Sequence, residues 1–225
     1  MHIAETFLSL QGEGILSGVP SFFIRTTGCN LRCRWCDTPY TSWNPEGVRR
    51  DVGDLVAAAT SSGAQHVVVT GGEPLLQREI GTLTRRLRAI GLHVTVETAG
   101  TVAPDFECDL LSVSPKTSNS DPKGPRAGRH RRLRSDLSAL RELLGRFRDH
   151  QLKFVVQRRD DVDEIVALLR ALDHGDRARV LLMPEGRTAA EVSQRAPAVA
   201  ALCLEHGFRY TPRLHLDLFG GGRGV

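Results

Sequence analysis

Short apolar runs alternate with amphipathic stretches along almost the whole chain, and this alternation constrains the fold more than any other feature of the sequence. Ser21 to Thr26 (SFFIRT), His66 to Thr70 (HVVVT), His93 to Glu97 (HVTVE), Leu110 to Ser114 (LLSVS), Leu152 to Val156 (LKFVV) and Arg179 to Met183 (RVLLM) read as strands. Between them, Asp51 to Ser61, Leu75 to Ile90, Leu133 to Phe147, Val162 to Leu172 and Thr188 to His206 carry apolar residues three and four apart, the spacing of one helix face. In the third of these, Leu133, Leu137, Leu140, Leu144 and Phe147 fall on one side. Gly91, Gly175 and Gly207 follow three of the helices as stop signals. Nearly all-apolar strands, each followed by a helix, predict an α/β fold with a parallel sheet buried on both faces. Six such strands are too few for a closed eight-stranded barrel, which leaves an incomplete barrel or an open doubly wound sheet. No linker interrupts the 225 residues, so one domain over 1–225 is expected.

Composition narrows the class. With 40% hydrophobic and 25% charged residues the chain is an ordinary globular one. Its longest apolar run, Ala198 to Leu204, falls far short of the ~18 residues that span a bilayer. The N-terminal stretch has no basic segment followed by an apolar one, so a cytoplasmic location is expected. An odd number of cysteines, five, argues against a disulfide framework and for a reducing compartment. The net charge of +4 is unevenly spread. Lys116 to Arg148 holds ten Lys/Arg and three Asp/Glu, net +7, which leaves the rest of the chain at −3. The densest part, Lys123 to Arg134 (KGPRAGRHRRLR), has no interleaved aromatic residue to stack bases, so it reads as a solvated loop leading into a helix, with nucleic acid an unlikely partner. Weakest order is expected in Thr117 to His130 and in the glycine-rich tail Gly220 to Gly224.

Three of the cysteines lie within eight residues, in Thr27-Gly28-Cys29-Asn30-Leu31-Arg32-Cys33-Arg34-Trp35-Cys36-Asp37-Thr38. A structural zinc ion takes four protein ligands. Here a fourth is hard to find: His2 and His66 belong to no second half-site, and Cys108 stands alone before an apolar strand. Three thiolates without a fourth suit an iron–sulfur cluster with one open iron, where a ligand can enter. Gly71-Gly72-Glu73-Pro74 follows directly on the strand candidate His66 to Thr70, and two glycines there let a backbone approach closely. Ser114-Pro115-Lys116 and Met183-Pro184-Glu185-Gly186 end two other strands, and Glu97 ends a third. All lie at strand carboxyl ends, where α/β barrels build their sites.

CxxxCxxC with an aromatic residue just before the last cysteine, followed by GGEP, resembles the radical S-adenosylmethionine (SAM) superfamily. The resemblance implies an incomplete TIM-like barrel of about six parallel strands with outer helices. It implies a [4Fe-4S] cluster on Cys29, Cys33 and Cys36, with SAM chelating the open iron. SAM would meet Trp35, Cys36, Asp37, Gly72, Glu73, Glu97, Ser114, Pro115, Lys116, Met183, Pro184, Glu185 and Gly186.

The flanking motifs narrow the family. Glu5 to Gly14 (ETFLSLQGEG), Phe23-Ile24-Arg25, Cys36 to Thr41 (CDTPYT) and Val96 to Thr101 (VETAGT) together resemble the 7-carboxy-7-deazaguanine synthases. That resemblance implies a carbon–nitrogen lyase that contracts 6-carboxy-5,6,7,8-tetrahydropterin to 7-carboxy-7-deazaguanine with loss of ammonia, a step toward 7-deazapurines such as queuosine. A hydrogen atom would leave the carboxylate-bearing carbon and later return, so that SAM is regenerated. It further implies Mg²⁺ on Thr38, substrate contacts at Leu10, Gln11, Gly12, Arg25 and Thr70, an external one-electron reductant of flavodoxin-like type, and a homodimer. A guanidinium at Arg25, set in an otherwise apolar strand, is the two-pronged partner a carboxylate wants. Two other readings are kept: a radical-SAM activating enzyme acting on a partner protein's glycine, and a zinc-stabilised RNA-binding protein. The tail Phe219 to Val225 fits no family pattern and is expected to act as a flexible lid.

Overall fold

The computed structural model describes residues 1–224, so Val225 of the expected lid lies outside the described residues. The strands are β1 (His2–Leu10), β2 (Pro20–Thr26), β3 (Val48–Arg49), β4 (His66–Gly71), β5 (His93–Thr98), β6 (Leu110–Val113), β7 (His150–Val156), β8 (Val180–Pro184) and β9 (Arg209–Tyr210). The helices are α1 (Pro39–Ser42), α2 (Val52–Ser61), α3 (Ile80–Ala89), α4 (Ala127–Ser135), α5 (Ser138–Arg146), α6 (Asp161–Ala171), α7 (Ala189–His206) and α8 (Leu214–Phe219). All nine strands form one sheet in the order β3-β1-β2-β4-β5-β6-β7-β8-β9. From β2 to β9 every pairing is parallel, whereas β1 runs antiparallel to both β2 and β3. The end strands β3 and β9 do not pair with each other, so the barrel is incomplete. The six strands expected from sequence are β2 and β4 to β8; β1, β3 and β9 are additional.

Period-two alternation divides the parallel strands into two unlike faces. Phe22 and Ile24, Val67 and Val69, Val94 and Val96, Leu111 and Val113, Leu152, Phe154 and Val156, and Val180 and Leu182 form one hydrophobic core with α2, α3, α5, α6 and α7. The residues between them, Phe23 and Arg25, Thr70, Glu97, Ser112, Lys153 and Val155, and Met183, line a cavity on the inner face. The sheet is therefore buried on both faces as expected, but only the outer face is uniformly apolar.

Two helix expectations change. The single helix expected over Leu133 to Phe147 is two, α4 and α5, because Asp136 is extended and its Oδ1 accepts from both the backbone N–H and the hydroxyl of Ser138, starting a new helix. The left-handed residue after α6 is Asp173 (φ 54°), so Gly175 is not its stop, while Gly91 and Gly207 do adopt positive φ. Helix α7 opens on a full capping box, Thr188 with Glu191. The stretch Thr117 to His130 is pinned: Asn119 donates to Val155 O and to Asp161, and the buried His130 accepts from Arg32 N. Among the described residues no helix is long and apolar enough to cross a membrane.

Candidate active site

The cysteine loop joins β2 to α1 and is held from below by glycines. A methyl group on Gly72 would lie 2.3 Å from Gly28 O and 2.7 Å from Thr41 O, and one on Gly71 (φ 134°) would lie 2.1 Å from Thr26 O. The close approach that the glycine pair permits is thus to the chain's own backbone. Gly72 N donates to Thr26 O (3.1 Å), Glu73 N to Gly28 O (2.9 Å) and Gly28 N to Thr41 O (2.8 Å), clamping both ends of the loop. The fully buried carboxylate of Glu73 accepts from Leu75 N, Thr98 Oγ1 and Ala99 N, which ties the end of β4 to the end of β5.

Cys29, Cys33 and Cys36 all line the inner-face cavity, whose volume is about 350 Å³. Burial pushes the Cys29 thiol up to about 11 and the Cys33 thiol to about 12, with neighbouring Glu73 adding to the first and Lys116 pulling against both. Such thiols ionise at neutral pH only when a cation takes the charge, as a cluster iron does. Cys36 Sγ lies 3.2 Å from Ser42 Oγ and 3.9 Å from Thr38 Oγ1. Among the described residues no three His, Cys, Asp or Glu side chains meet closely enough for one metal ion. Lys116 Nζ stands over the Trp35 ring (5.6 Å to the centroid) and donates to Ser114 O and Oγ, and Trp35 Nε1 donates to Asn119 O.

Polar side chains from β2, β4, β5 and β7 line the same cavity. Arg25 donates to Glu5 (2.7 Å), which also accepts from Tyr40 OH (2.7 Å), and the guanidinium packs over Phe7. Glu97 accepts from Gln11 Nε2 (3.2 Å) and Thr70 Oγ1 (2.8 Å), with Lys153 Nζ 3.7 Å away. A methyl on Gly12 would strike His215 Nδ1 at 2.1 Å, so any larger residue there would force the His215 side chain of α8 to move.

Sequence reasoning missed the network that joins the chain's distant parts. Lys153 Nζ donates to Glu13 (2.5 Å), Glu13 also pairs with Arg213 (3.1 Å), and Arg213 bonds both Asp37 and the carbonyl of Gly186. Burial alone would raise the Glu13 carboxyl and lower the Lys153 ammonium. Lys153 and Arg213 outweigh this for Glu13, holding it well below the usual carboxylate range, and Glu13 and Glu97 push Lys153 upward, so the pair stays charged. Lys153 carried the same signal as Arg25, a charge inside an apolar strand. Arg213 carried none.

Of the residues expected at the site, Leu10, Gln11, Gly12, Arg25, Cys29, Cys33, Trp35, Cys36, Asp37, Thr38, Thr70, Gly72, Glu97, Ser114, Lys116 and Met183 line this one cavity. Glu73, Pro115, Pro184, Glu185 and Gly186 do not. Glu73 braces the loop from beneath, Glu185 pairs with Arg195 (3.5 Å), and Gly186 receives Arg213. The tail reaches the rim: Gly221, Gly222 and Arg223 line the cavity, and Arg223 lies 3.8 Å over the Tyr40 ring and pairs with Glu46 (2.9 Å).

Known proteins resemble the chain over this whole arrangement. The Radical SAM superfamily profile matches residues 23–168. A 7-carboxy-7-deazaguanine synthase of Rhodopirellula baltica is 44% identical over 99% of this chain and 88% of its own. One from Halobacterium salinarum is 48% identical, covering 97% and 90%, and one from Pyrobaculum aerophilum is 38% identical, covering 100% and 97%. Among solved structures, QueE from Escherichia coli superposes with a TM-score of 0.73 at 28% identity, covering 95% of this chain and 94% of that one. Streptococcus suis SuiB bound to S-adenosylmethionine (TM-score 0.54, 14% identity, covering 83% and 48%) shares the fold alone.

Proposed function

The chain belongs to the 7-carboxy-7-deazaguanine synthase family of the radical SAM superfamily, and from that premise we propose how its inner-face cavity serves the family's reaction. The enzyme carries out the ring contraction of 6-carboxy-5,6,7,8-tetrahydropterin to 7-carboxy-7-deazaguanine, releasing ammonia, in queuosine-type 7-deazapurine biosynthesis. One observation carries the assignment of parts: the three cysteines and the Arg25, Gln11, Thr70 and Glu97 group line one and the same cavity.

Cys29, Cys33 and Cys36 would hold the [4Fe-4S] cluster, three thiolates that would leave an iron for SAM. When bound, cluster and SAM supply the one-electron chemistry that removes a hydrogen atom from the substrate and later returns it. Lys116, Ser114, Trp35 and Met183, which line the cavity, are the groups for SAM, with Lys116 joining Ser114 to the Trp35 ring. Arg25 has its Nε engaged by Glu5, and its terminal nitrogens, without a hydrogen bond among the described residues, are offered to the substrate carboxylate. Glu97 is bonded to Gln11 and Thr70, which supports a place among the substrate groups rather than at SAM; it fixes which way both point toward the pterin's donor and acceptor edge. Lys153 and Glu13 stay charged and rigid behind it. Thr38, a hard oxygen beside Cys36, is the residue offered for Mg²⁺. The tail is a lid whose Arg223 latches on Tyr40. A homodimer, an external one-electron donor and a reducing cytoplasm complete the reading.

Anaerobic incubation of the reconstituted, reduced protein with SAM, Mg²⁺ and 6-carboxytetrahydropterin tests it. Product with catalytic SAM is the expected result. Formation of 5′-deoxyadenosine without any deazaguanine would overturn the substrate.

A further inference from the structure

Glu5 does not line the cavity, yet it is bonded to two side chains that do, Arg25 and Tyr40. The register of β1 puts it there. Strands β1 and β2 are antiparallel with Ile3 opposite Thr26, so an even ladder would set Ala4 against Arg25. A bulge between Ile3 and Glu5 shifts the pairing by one residue, and Glu5 takes the place opposite Arg25 instead. Beyond the bulge the ladder is regular: Phe7 lies opposite Phe23, and the two rings stack at 4.9 Å with 4° between their planes. Paired residues share a face of the sheet, so Glu5 and Phe7 stand on the face where Arg25 and Phe23 line the cavity. One carboxylate oxygen of Glu5, Oε1, accepts from Arg25 Nε (2.7 Å) and from Tyr40 OH (2.7 Å). The guanidinium is thus held at its Nε by Glu5 and on its face by the Phe7 ring, 5.4 Å from the centroid. With Nε taken, the end of the fork, formed by the two terminal nitrogens, is what a ligand meets. A planar two-oxygen carboxylate matches that end; a neutral hydroxymethyl group meets only one prong.

We propose that Glu5 and Tyr40 are positioning residues that set the enzyme's selectivity for a pterin carrying a carboxylate: Glu5 aims Arg25, and Tyr40 aims Glu5. The proposal rests on the reading of Arg25 as the partner of the substrate carboxylate. An unrestrained arginine loses rotamer freedom when it grips a ligand, whereas one already fixed by Glu5 has lost that freedom on folding, so its grip is stronger. Glu5 and the substrate carboxylate do not compete for the same donors, because Glu5 takes Nε and leaves the terminal nitrogens. Their like charges do oppose each other, and here the Tyr40 hydroxyl matters. It donates to the Glu5 oxygen that holds Arg25, which draws that charge away from the ligand and fixes the carboxylate from its other side.

The test uses the reconstituted holoenzyme with SAM and Mg²⁺, left unreduced so that nothing turns over, and two fluorescent oxidised pterins, 6-carboxypterin and 6-hydroxymethylpterin. The ratio of their dissociation constants, from fluorescence titration, is the selectivity. Wild type favours the carboxylate. Glu5→Ala lowers the ratio by about tenfold or more through weaker binding of 6-carboxypterin, while 6-hydroxymethylpterin stays within about twofold of wild type. Glu5→Gln keeps an acceptor oxygen in place and brings the ratio back to within about threefold of wild type. Tyr40→Phe keeps the ring beneath Arg223, loses one hydroxyl and lowers the ratio about threefold; it carries the test if Glu5→Ala does not fold. An unchanged ratio in Glu5→Ala and Tyr40→Phe overturns the proposal. So does an equal weakening of both pterins, which would make Glu5 a structural residue of β1, or a Gln variant no better than the Ala variant. Arg25→Ala separates the premise from the proposal. If it abolishes the preference and the Glu5 variants do not, the proposal falls and the reading of Arg25 stands; if it leaves the preference intact, that reading falls and takes the proposal with it.

Discussion

Gly72 shows how little freedom a single position has under the cysteine loop. A methyl group there would lie 2.3 Å from a backbone oxygen that cannot swing aside, so Gly72→Ala must displace Gly28 and the start of the loop. We expect a loss of about 1–3 kcal/mol in denaturant unfolding of the cluster-free protein, and a comparable thermal shift. Unchanged stability would mean that the loop is not clamped from below. Glu13 makes a pH-dependent prediction. Its folded carboxyl is held far below the ordinary 4.5, so the stability it contributes is complete above that pH and is lost as pH falls toward the folded value. Glu13→Gln should cost roughly 2 kcal/mol near neutrality, less than the ~3–5 of a fully orphaned buried pair, because Lys153 keeps Glu97 and Arg213 keeps Asp37. Urea titrations should find the gap between wild type and variant narrowing below pH 4.5, and a gap that stays constant well into acid would contradict the network. The cysteines, Arg25 and the glycine pair were legible because their spacing or chemistry is unusual in one short window. Arg213 was not: its meaning comes from reaching Glu13, Asp37 and Gly186 at once, a coincidence of folding that no local pattern encodes.

At the scale of elements, the strand–helix rhythm was legible wherever an outer-face strand was both apolar and at least four residues long. It failed for β3 and β9, which have two residues each, and for β1, whose mostly half-buried, mixed residues give no clean period. Reading the strands as uniformly apolar also hid the inner face. Arg25, Thr70, Glu97 and Lys153 fall in phase on that face, and the register sets Arg25 beside Thr70. The division of Leu133 to Phe147 into α4 and α5 turned on one residue, Asp136, whose side chain competes for the backbone better than helix periodicity predicts. Helix α7 contains Pro197 in its interior, exposed and without a backbone donor. Pro197→Ala should therefore stabilise the protein by about 1–3 kcal/mol without changing turnover, as seen by thermal unfolding and initial rates. A destabilised variant would show that the proline's packing outweighs its helix penalty.

For the whole molecule, the incomplete barrel leaves a cavity whose rim is finished by segments far apart in sequence: the loop after β1, the cysteine loop, and the C-terminal run through α8 to Arg223. Deleting Gly220 to Val225 removes the Arg223 contact with Tyr40 and should raise the KM for the pterin several-fold with a smaller effect on binding of SAM; unchanged affinity and turnover would remove the lid from the account. The charge asymmetry, which composition alone suggested was a solvated loop, lies over the cysteine loop once the chain is folded. Everything functional in the account depends on three thiolates holding a cluster with an open iron. The most direct measurement is electron paramagnetic resonance of the anaerobically reconstituted, dithionite-reduced protein before and after SAM is added. The expected result is a reduced [4Fe-4S] signal, at about four irons per chain, that shifts on SAM addition and is lost in Cys33→Ala. A colourless, zinc-loaded protein, or a cluster signal indifferent to SAM, would contradict it.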